Sequence, residues 1–295
     1  MIEVAKQKIW QCRERTVRFG TPFVMAILNL TPDSFYARSR ITRVEEAVQR
    51  GVQFVRDGAQ ILDLGAESTR PGARTLTPEE ECERLIPVLT ALRSALPAAF
   101  LSIDTRHTAT AKAALAAGAD IINDVSGCAP DAGMFDLLAA TGAGYVLTHA
   151  QGGADCGESL TDPMTCTERV IQDLLTMAHQ AEAAGVKPAQ IQLDPGLGFA
   201  KTAEVSTRLL QETARFAALP YSLMIAASRK RFLGALTHHA EADDRGAASL
   251  GAALLALHAG ANVVRVHDVR ETIDAFTVFS LLNAHKDPSN VCSDV

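Results

Sequence analysis

Apolar segments and segments of helical periodicity alternate along most of the chain, and this alternation constrains its fold more than any other feature. Eight short apolar runs occur, at residues 23–28, 61–64, 100–103, 121–122, 145–148, 191–193, 223–227 and 263–266. A run that is apolar at successive positions predicts a parallel strand that is buried on both faces. We therefore expect eight parallel strands.

The stretches between these runs predict helices. Apolar side chains recur about every 3.6 residues within residues 44–57, 78–94, 108–117, 168–184, 203–217, 247–259 and 271–285. Strand and helix alternating eight times favours a closed (β/α)8 barrel over an open sheet, and barrels of about 250 residues fold as one domain. We predict a single α/β domain, a (β/α)8 TIM barrel at residues 23–285, with an N-terminal extension at 1–22 and a C-terminal tail at 286–295.

Polar residues stand at or near the end of nearly every apolar run. They are Asn29, Asp63, Asp104, Asn123, His149, Asp194, Ser228 and Arg265. The C-terminal ends of barrel strands share one rim, where barrel enzymes carry their active sites. Any single one of these residues could equally begin a loop or cap a helix. Eight polar residues that all stand at corresponding strand ends favour a functional site at this rim.

The charge balance and the cysteines exclude several classes of function. The chain has 28 Lys and Arg against 34 Asp and Glu, a net charge of −6, which gives no attraction to nucleic acid or to an anionic membrane. The uncharged stretch 246–264 is rich in Gly, Ala and Ser and contains His258 and Asn262, so we predict a helix followed by a strand. Charged residues interrupt the first twenty positions, and the six cysteines form no Cys-x-x-Cys pair. We predict a cytoplasmic protein with reduced cysteines and with no nucleic-acid or membrane partner.

Basic residues in three rim loops predict a phosphorylated substrate. Thr69 and Arg70 follow the second run, residues 228–231 bring three cations after the seventh, and Arg265 and His267 share one face of the eighth. Barrels commonly hold phosphate with the loops after strands seven and eight. A solvated surface is the more usual role of a cationic run such as 228–231.

Two further loops have the composition of binding loops. Asp194 is followed by Gly196, Gly198 and Phe199, which combines a carboxylate, closely approaching backbone and an aromatic ring. Asn29 precedes a proline-stiffened turn. A glycine-rich turn and a simple turn would also explain these two segments.

Seven segments in order resemble the dihydropteroate synthases of the folate pathway. They are residues 29–35, 67–73, 102–105, 122–127, 193–199, 228–232 and 265–269, and the resemblance extends from residue 23 to about residue 279. It implies a barrel that joins 6-hydroxymethyl-7,8-dihydropterin diphosphate to 4-aminobenzoate and releases diphosphate and 7,8-dihydropteroate. It also implies Mg²⁺, a homodimer and a sulfonamide target.

The resemblance implies roles for residues at matching positions. The pterin site comprises Asp104, Asn123, Asp194 and Lys230. The diphosphate site comprises Asn29 with magnesium, Thr69, Arg70, Arg265 and His267. The aminobenzoate site comprises Phe35, Pro71, Phe199, Lys230 and Arg231. The implied catalytic residues are Asp104, Lys230 and Asn29, with Asp104 stabilising a pterin cation that forms as the C–O bond breaks before the aniline nitrogen attacks.

The sequence departs from the family at several positions. Arg231 stands where many members have serine, and Ala37 stands where an acidic residue is frequent. Arg38 and Arg40 make the first loop more positive, so we expect altered closure over aminobenzoate and an unchanged pterin pocket. The remaining departures are Ala66, Thr148 and Ala226.

Two other functions fit part of the pattern. A pterin-binding methyltransferase, which passes a methyl group from a reduced folate to a corrinoid, would need no diphosphate clamp. The cations Arg70, Arg265 and His267 therefore favour the synthase. An accessory protein that keeps the barrel without turnover is supported only by Ala37.

Overall fold

Ten strands and ten helices make up the part of the chain that the computed structural model describes, residues 8–20, 23–30, 40–67, 75–127, 129–150 and 160–284. Strands β1 (Ile9–Cys12) and β2 (Arg15–Arg18) pair as an antiparallel hairpin. The others are β3 (Phe23–Asn29), β4 (Ile61–Gly65), β5 (Phe100–Asp104), β6 (Ile121–Asp124), β7 (Gly144–Thr148), β8 (Ile191–Asp194), β9 (Ser222–Ile225) and β10 (Val263–Val266). These eight pair in parallel in chain order, and β10 pairs with β3 to close the barrel. The predicted (β/α)8 fold is confirmed.

Helices follow the barrel strands. They are α1 (Arg40–Arg56), α2 (Pro78–Ala95), α3 (Thr108–Ala116), α4 (Met134–Thr141), α5 (Cys166–Ala183), α6 (Ala203–Gln211), α7 (Thr213–Ala217), α8 (Arg231–Thr237), α9 (Gly246–His258) and α10 (Val269–Ala284). Two of them, α4 and α8, are absent from the sequence-based prediction because each is too short to show a clear period. The predicted helix 203–217 is divided at Glu212 into α6 and α7.

Local sequence explains where α2 begins. The side chain of Thr77 accepts a hydrogen bond from the backbone of Glu80, whose side chain accepts one from the backbone of Thr77. Pro78 occupies the first turn, where a missing N–H has no cost. The helix therefore starts directly after the loop that follows β4.

Two faces alternate along each barrel strand. One face packs against the helices, and the other points into the barrel. At the N-terminal ends of the strands the inward face is apolar and comprises Met25, Ile61, Ile121, Val146, Met224 and Val263. Further along, the same face carries polar side chains on most strands, namely Asp63, Ser102, Asn123, Thr148, Gln192 and Arg265. On β4, β6, β7 and β10 the inward face thus changes from apolar to polar within two residues, whereas Ile27 on β3 and Ala226 after β9 remain apolar.

The hairpin closes the apolar end of the barrel. Trp10 and Cys12 are fully buried against the apolar layer, and Trp10 Nε1 donates a hydrogen bond of 2.8 Å to the carbonyl of Gln190. Gly144 begins β7 beneath them, where a Cβ would lie 2.7 Å from Cys12 Sγ and therefore could not be accommodated. The hairpin falls within the predicted N-terminal extension, for which the sequence indicated no structure.

Ionic contacts fasten this hairpin to the barrel. Asp120 Oδ2 accepts from the backbone N–H of Leu101 at 2.9 Å, from Arg93 Nη2 at 2.5 Å and from Arg15 Nη1 at 3.3 Å. The Arg15 guanidinium also lies 3.7 Å from the centroid of the Phe100 ring. One buried carboxylate therefore joins β2, α2 and the start of β5.

No helix in the described ranges is long and apolar enough to cross a membrane. The uncharged stretch 246–264 forms α9 and the start of β10, as the sequence predicted.

Candidate active site

The polar end of the barrel brings together most of the described residues that the resemblance selected. Asn29, Asp104 and Asp194 end β3, β5 and β8, while Asn123 and Arg265 point inward from β6 and β10. A Cβ at Gly65 would lie 3.8 Å from both Asn29 Oδ1 and Asp104 Oδ2. The absence of a side chain at Gly65 therefore leaves open the space that these two residues flank.

A network centred on Arg265 crosses the barrel. Arg265 Nε donates to Asp63 Oδ2 at 2.6 Å, and Arg265 Nη2 donates to Asp104 Oδ2 at 2.8 Å. The same Asp63 oxygen accepts from Asn123 Nδ2 at 3.0 Å. Two carboxylates thus orient one guanidinium, and Asp63 links the predicted diphosphate and pterin sites. Asp63 is among the polar residues that the sequence places at strand ends, but no role in the site was assigned to it. Its position on the face of β4 that points into the barrel could have identified it.

Several buried polar atoms in this interior have no hydrogen-bond partner among the described residues. They are Asp63 Oδ1, Ser102 Oγ, Asn123 Oδ1, Thr148 Oγ1 and Gln192 Oε1. Leaving such an atom unpaired costs about 1 to 3 kcal/mol. Acceptors and hydroxyls of this kind, gathered on the inward face, are suited to a ligand that presents N–H groups.

Burial governs the ionisation of the two carboxyls at the rim. It raises the pKa of Asp104 from 3.8 to about 7, against the opposing effect of the Arg265 charge, and Asp63 adds to the rise. Burial also raises the pKa of Asp194, although the Lys230 charge offsets part of this effect. Asp104 is consequently poised to change its charge near neutral pH. Arg265 remains a cation, because Asp63 and Asp104 outweigh the lowering of its pKa by burial.

Lys230 lies between β9 and α8 and contacts the loop that follows β8. Its ammonium donates to the carbonyl of Leu197 and lies 4.5 Å from the centroid of the Phe199 ring. Burial lowers the pKa of Lys230 to about 8, with Asp194 acting in the opposite direction. Asp194 Oδ1 in turn accepts from the backbone N–H of Gly196 at 2.8 Å. The carboxylate, the ammonium and the aromatic ring therefore lie on one side of the rim.

His267 and Ser228 form a pair beside Arg265. Ser228 Oγ accepts from the backbone N–H of His267 at 3.2 Å and lies 3.0 Å from the ring nitrogen Nδ1. Burial, followed by the charges of Arg265 and Arg229, lowers the pKa of His267 to about 4. The imidazole is therefore neutral at pH 7 and can offer an N–H group to an anion, but no charge.

The side chains of the three consecutive cations at residues 229–231 lie in three different environments. Arg229 donates to Asp268 Oδ1 at 2.6 Å and to Asp243 Oδ1 at 2.6 Å, so its charge is neutralised away from the network. Lys230 points into the site, and Arg231 is exposed at the start of α8. The turn itself is held by Arg229, which has a φ of 59° and donates its backbone N–H to Ser249 Oγ at 2.8 Å.

Four predicted site residues lie outside the described part of the chain: Phe35, Thr69, Arg70 and Pro71. Ala37 and Arg38, where the sequence departs from the family, also lie outside the described residues. Arg40 is described only as the first residue of α1. The proposed effects of the first loop stay predictions.

Comparisons with known proteins show the family to which the chain belongs. The pterin binding enzyme family matches residues 25–267. Dihydropteroate synthase of Mycobacterium leprae is 41% identical over 262 residues, covering 86% of this chain and 91% of the relative. That of Synechocystis is 38% identical over 247 residues, covering 84% and 85%.

Solved structures show the same fold. Xanthomonas albilineans dihydropteroate synthase with 4-aminobenzoic acid superposes with a TM-score of 0.86 at 36% identity, covering 95% of this chain and 99% of the other. The Burkholderia cenocepacia dihydropteroate synthase complexed with 7,8-dihydropteroate gives a TM-score of 0.84 at 36% identity, covering 95% and 98%. The chain therefore belongs to the pterin binding enzyme family and, within it, to the dihydropteroate synthases, which are transferases.

Proposed function

We propose that this chain condenses 6-hydroxymethyl-7,8-dihydropterin diphosphate with 4-aminobenzoate to give 7,8-dihydropteroate and diphosphate. The observation that carries this proposal is the Arg265 guanidinium held between Asp63 and Asp104, beside buried acceptors that have no partner. Such a site offers one oriented cation for a leaving anion and several acceptors for a ring edge rich in N–H groups.

The pterin ring is held by Asp104, Asn123, Asp194 and Lys230 in this proposal. A carboxylate and an amide oxygen accept from the pterin N–H groups, and the Lys230 ammonium donates to the ring carbonyl. Asp194→Asn should weaken pterin binding several-fold, because one acceptor oxygen is exchanged for a donor. Unchanged affinity by calorimetry would contradict the assignment.

Charge stabilisation carries the chemical step. As the C–O bond breaks, its electron pair leaves with the diphosphate towards Arg265 and the neutral His267, with Thr69, Arg70 and Asn29 as the other proposed contacts. The Asp104 carboxylate stabilises the positive pterin that remains. The lone pair of the aniline nitrogen then forms the C–N bond, and that nitrogen loses a proton.

The aminobenzoate lies on the Phe199 side of the rim in this proposal. The Phe199 ring and the Lys230 ammonium face each other there at 4.5 Å, which supplies an apolar surface and a cation for the benzoate carboxylate. Phe35, Pro71 and Arg231 are the further proposed contacts. A sulfonamide should compete with aminobenzoate, and inhibition that is not competitive would argue against a sulfonamide target.

Magnesium is proposed as the cofactor, with Asn29 as its protein ligand. Its amide oxygen is the hard donor that Mg²⁺ accepts, and Mg²⁺ commonly completes its shell with substrate phosphates and water. No cluster of three or more His, Cys, Asp or Glu in the described ranges could hold a metal, which fits a site that depends on the substrate's oxygens. When bound, magnesium adds positive charge to the leaving diphosphate. Asn29→Ala should reduce the magnesium dependence of pterin diphosphate binding in calorimetry, and an unchanged dependence would contradict the assignment.

A homodimer is proposed through the outer faces of α9 and α10. Leu255, Val278, Leu281 and Leu282 are large apolar side chains that are between 42% and 68% exposed on these helices. An exposed apolar patch of this kind is typical of a protein–protein contact. Leu281→Glu should shift the species observed by light scattering from dimer to monomer, and a monomeric wild type would contradict the proposal.

A cytoplasmic location is proposed from the cysteines. Those in the described ranges, Cys12, Cys82 and Cys166, are free thiols, as expected for a chain in a reducing compartment.

The decisive experiment mixes both substrates with magnesium and measures diphosphate release and dihydropteroate formation. Product formation supports the synthase. Methyl transfer from a reduced folate to a corrinoid would support the methyltransferase, and pterin binding without turnover would support an accessory protein.

A further inference from the structure

The ammonium of Lys201 is enclosed by three backbone carbonyls. Its Nζ donates to the carbonyls of His149 at 2.8 Å, Gly196 at 2.9 Å and Phe199 at 3.1 Å. An ammonium has three N–H groups, so these contacts satisfy all of them. The first carbonyl directly follows β7 and the other two belong to the loop between β8 and α6. One side chain therefore ties two neighbouring rim loops together.

The backbone of the second loop is wound closely around this ammonium. Gly196, Gly198 and Ala200 have φ angles of 65°, 80° and 45°, all in the left-handed region. A Cβ at Gly196 would lie 1.9 Å from the His149 carbonyl oxygen, so only glycine permits the approach. Ala200 holds a conformation that an L-residue rarely adopts, which requires the surroundings to enforce it.

Asp194 and Phe199 are positioned by different parts of the structure, Asp194 by the pairing of strand β8 and Phe199 by the loop that follows this strand. Asp194 pairs with Thr148 in the barrel register, and its carbonyl accepts from the His149 N–H at 2.8 Å. Phe199 lies beyond the strand and is tied by its N–H to the Gly196 carbonyl at 3.1 Å and by its own carbonyl to Lys201. Leu197, whose carbonyl accepts from the Lys230 ammonium, is on the same loop.

We propose that Lys201 is a positioning residue that fixes the β8–α6 loop, and thereby places Phe199 for aminobenzoate. This inference rests on the proposed function, since it assigns a part of that same site. Its central expectation is selective: loss of Lys201 should affect aminobenzoate more than pterin. Phe199 is tied directly to Lys201, whereas Asp194 is held by the β7–β8 register and reaches Lys201 indirectly, through the backbone of Gly196.

The electrostatics of Lys201 agree with a geometric role. Burial, and after it the nearby Lys230 charge, lowers the pKa of Lys201 to about 7, although Asp194, Asp173 and Cys166 oppose the shift. The three hydrogen bonds that Lys201 donates all go to carbonyl oxygens, so the side chain organises backbone and does not neutralise a carboxylate.

The test compares Lys201→Met with Lys8→Met. Lys8 also donates its Nζ to a backbone carbonyl, that of Ala217 at 2.5 Å, and it precedes the hairpin at the opposite end of the barrel. In Lys201→Met we expect the aminobenzoate KM to rise about fivefold or more, because three carbonyls lose their donor. The Kd for pterin diphosphate, measured by calorimetry without aminobenzoate, should stay within about twofold of wild type. Lys8→Met should leave both values unchanged.

A double variant tests whether Phe199 transmits the effect. If it does, Lys201→Met should add less than about twofold to the aminobenzoate KM of Phe199→Ala. An equal loss of both ligands in Lys201→Met, or an unchanged aminobenzoate KM, overturns the proposal.

Lys201→Gln serves if Lys201→Met does not fold, because its amide retains an N–H donor. It should raise the aminobenzoate KM to a smaller extent, and an unchanged KM in that variant overturns the proposal too. The proposed function is tested separately by the wild type, whose failure to form dihydropteroate would refute the synthase and not the loop contact.

Discussion

The two ends of the barrel differ in what their buried residues contribute. At the N-terminal end, the hairpin and the inward apolar layer pack around Trp10 without an unpaired polar atom at that side chain. At the C-terminal end, the inward face buries Asp63, Asp104 and Arg265 beside acceptors that lack partners. The fold concentrates apolar burial at one end and buried polar groups at the other, and it is at the latter end that barrel enzymes carry their active sites.

Strand β4 contains both kinds of buried residue, one apolar and one charged, only two positions apart. Ile61 and Asp63 point into the same barrel interior, two residues apart, and both are fully buried. Burial of a side chain such as Ile61 stabilises the fold by about 1.5 to 3 kcal/mol. A buried ion pair such as that of Asp63 with Arg265 often contributes nothing to stability, because desolvation offsets the attraction. Stability therefore does not account for the polar layer, which is the part of the barrel that we propose binds the substrates.

The largest expected effect is on stability, at the hairpin end. Trp10→Ala should lower the free energy of unfolding by about 3 to 5 kcal/mol, because it opens a cavity and removes the hydrogen bond to Gln190. Urea unfolding measures the loss, and the kcat of the folded fraction should be that of wild type. Trp10→Phe, which keeps a ring and loses the N–H donor, should lose less. A large fall in kcat would show that the two ends are coupled.

Asp104→Asn should give the converse result at the rim. It removes a carboxylate from the pterin side, so we expect kcat to fall about 100-fold to 1000-fold. The free energy of unfolding should stay equal or rise, because the raised pKa of Asp104 shows that the fold favours its neutral form, and Arg265 keeps Asp63 as a partner. Diphosphate release and urea unfolding, measured together, check both parts. A loss of stability as large as that of Trp10→Ala would remove the distinction between the ends.

The same variant tests the pH dependence. Because burial raises the pKa of Asp104 from 3.8 to about 7, the folded protein holds a proton between these values that the unfolded chain has lost. This contribution to the free energy of unfolding is fully present below the ordinary pKa and is lost as pH rises through about 7. Wild type should therefore lose more stability than Asp104→Asn between about pH 5 and pH 8. The opposite order would show that Asp104 has no raised pKa.

Arg265→Ala should produce a smaller and selective effect. Affinity for the diphosphorylated pterin should fall about tenfold to a hundredfold, since a charge-assisted contact contributes about 1.5 to 3 kcal/mol. Affinity for bare hydroxymethylpterin should be nearly unchanged. Calorimetry with both ligands decides the matter, and equal losses would contradict a diphosphate role for Arg265.

The smallest effect is expected at the ionic contact of the hairpin end. Asp120→Asn keeps an oxygen acceptor for Leu101 but removes the charge that faces Arg15 and Arg93, which are partly exposed. We expect a loss of about 1 kcal/mol in the free energy of unfolding and no change in kcat. A change in either substrate's KM would show that this end also shapes the site.

Local sequence was sufficient for the architecture. The apolar runs predicted all eight barrel strands to within a few residues, because burial on both faces imposes a local composition that can be recognised without the fold. The glycines that bound α4, Gly133 and Gly142, mark a helix too short for its periodicity to be recognised. The hairpin was missed for a related reason, since Trp10 is buried only because the barrel lies above it.

The sequence by itself determined that Asp63 and Arg265 lie in the inward phase of their strands, because alternate residues of a strand share a face. Only the tertiary structure decided that they meet. Arg265 is separated from Asp63 by 202 positions and from Asp104 by 161, and closure of β10 onto β3 brings them within hydrogen-bond distance. The same holds for Lys201 and the His149 carbonyl, 52 positions apart. Local periodicity fixes which way a side chain points, whereas its partner, its desolvation and its pKa depend on chain segments that only the closed barrel brings together.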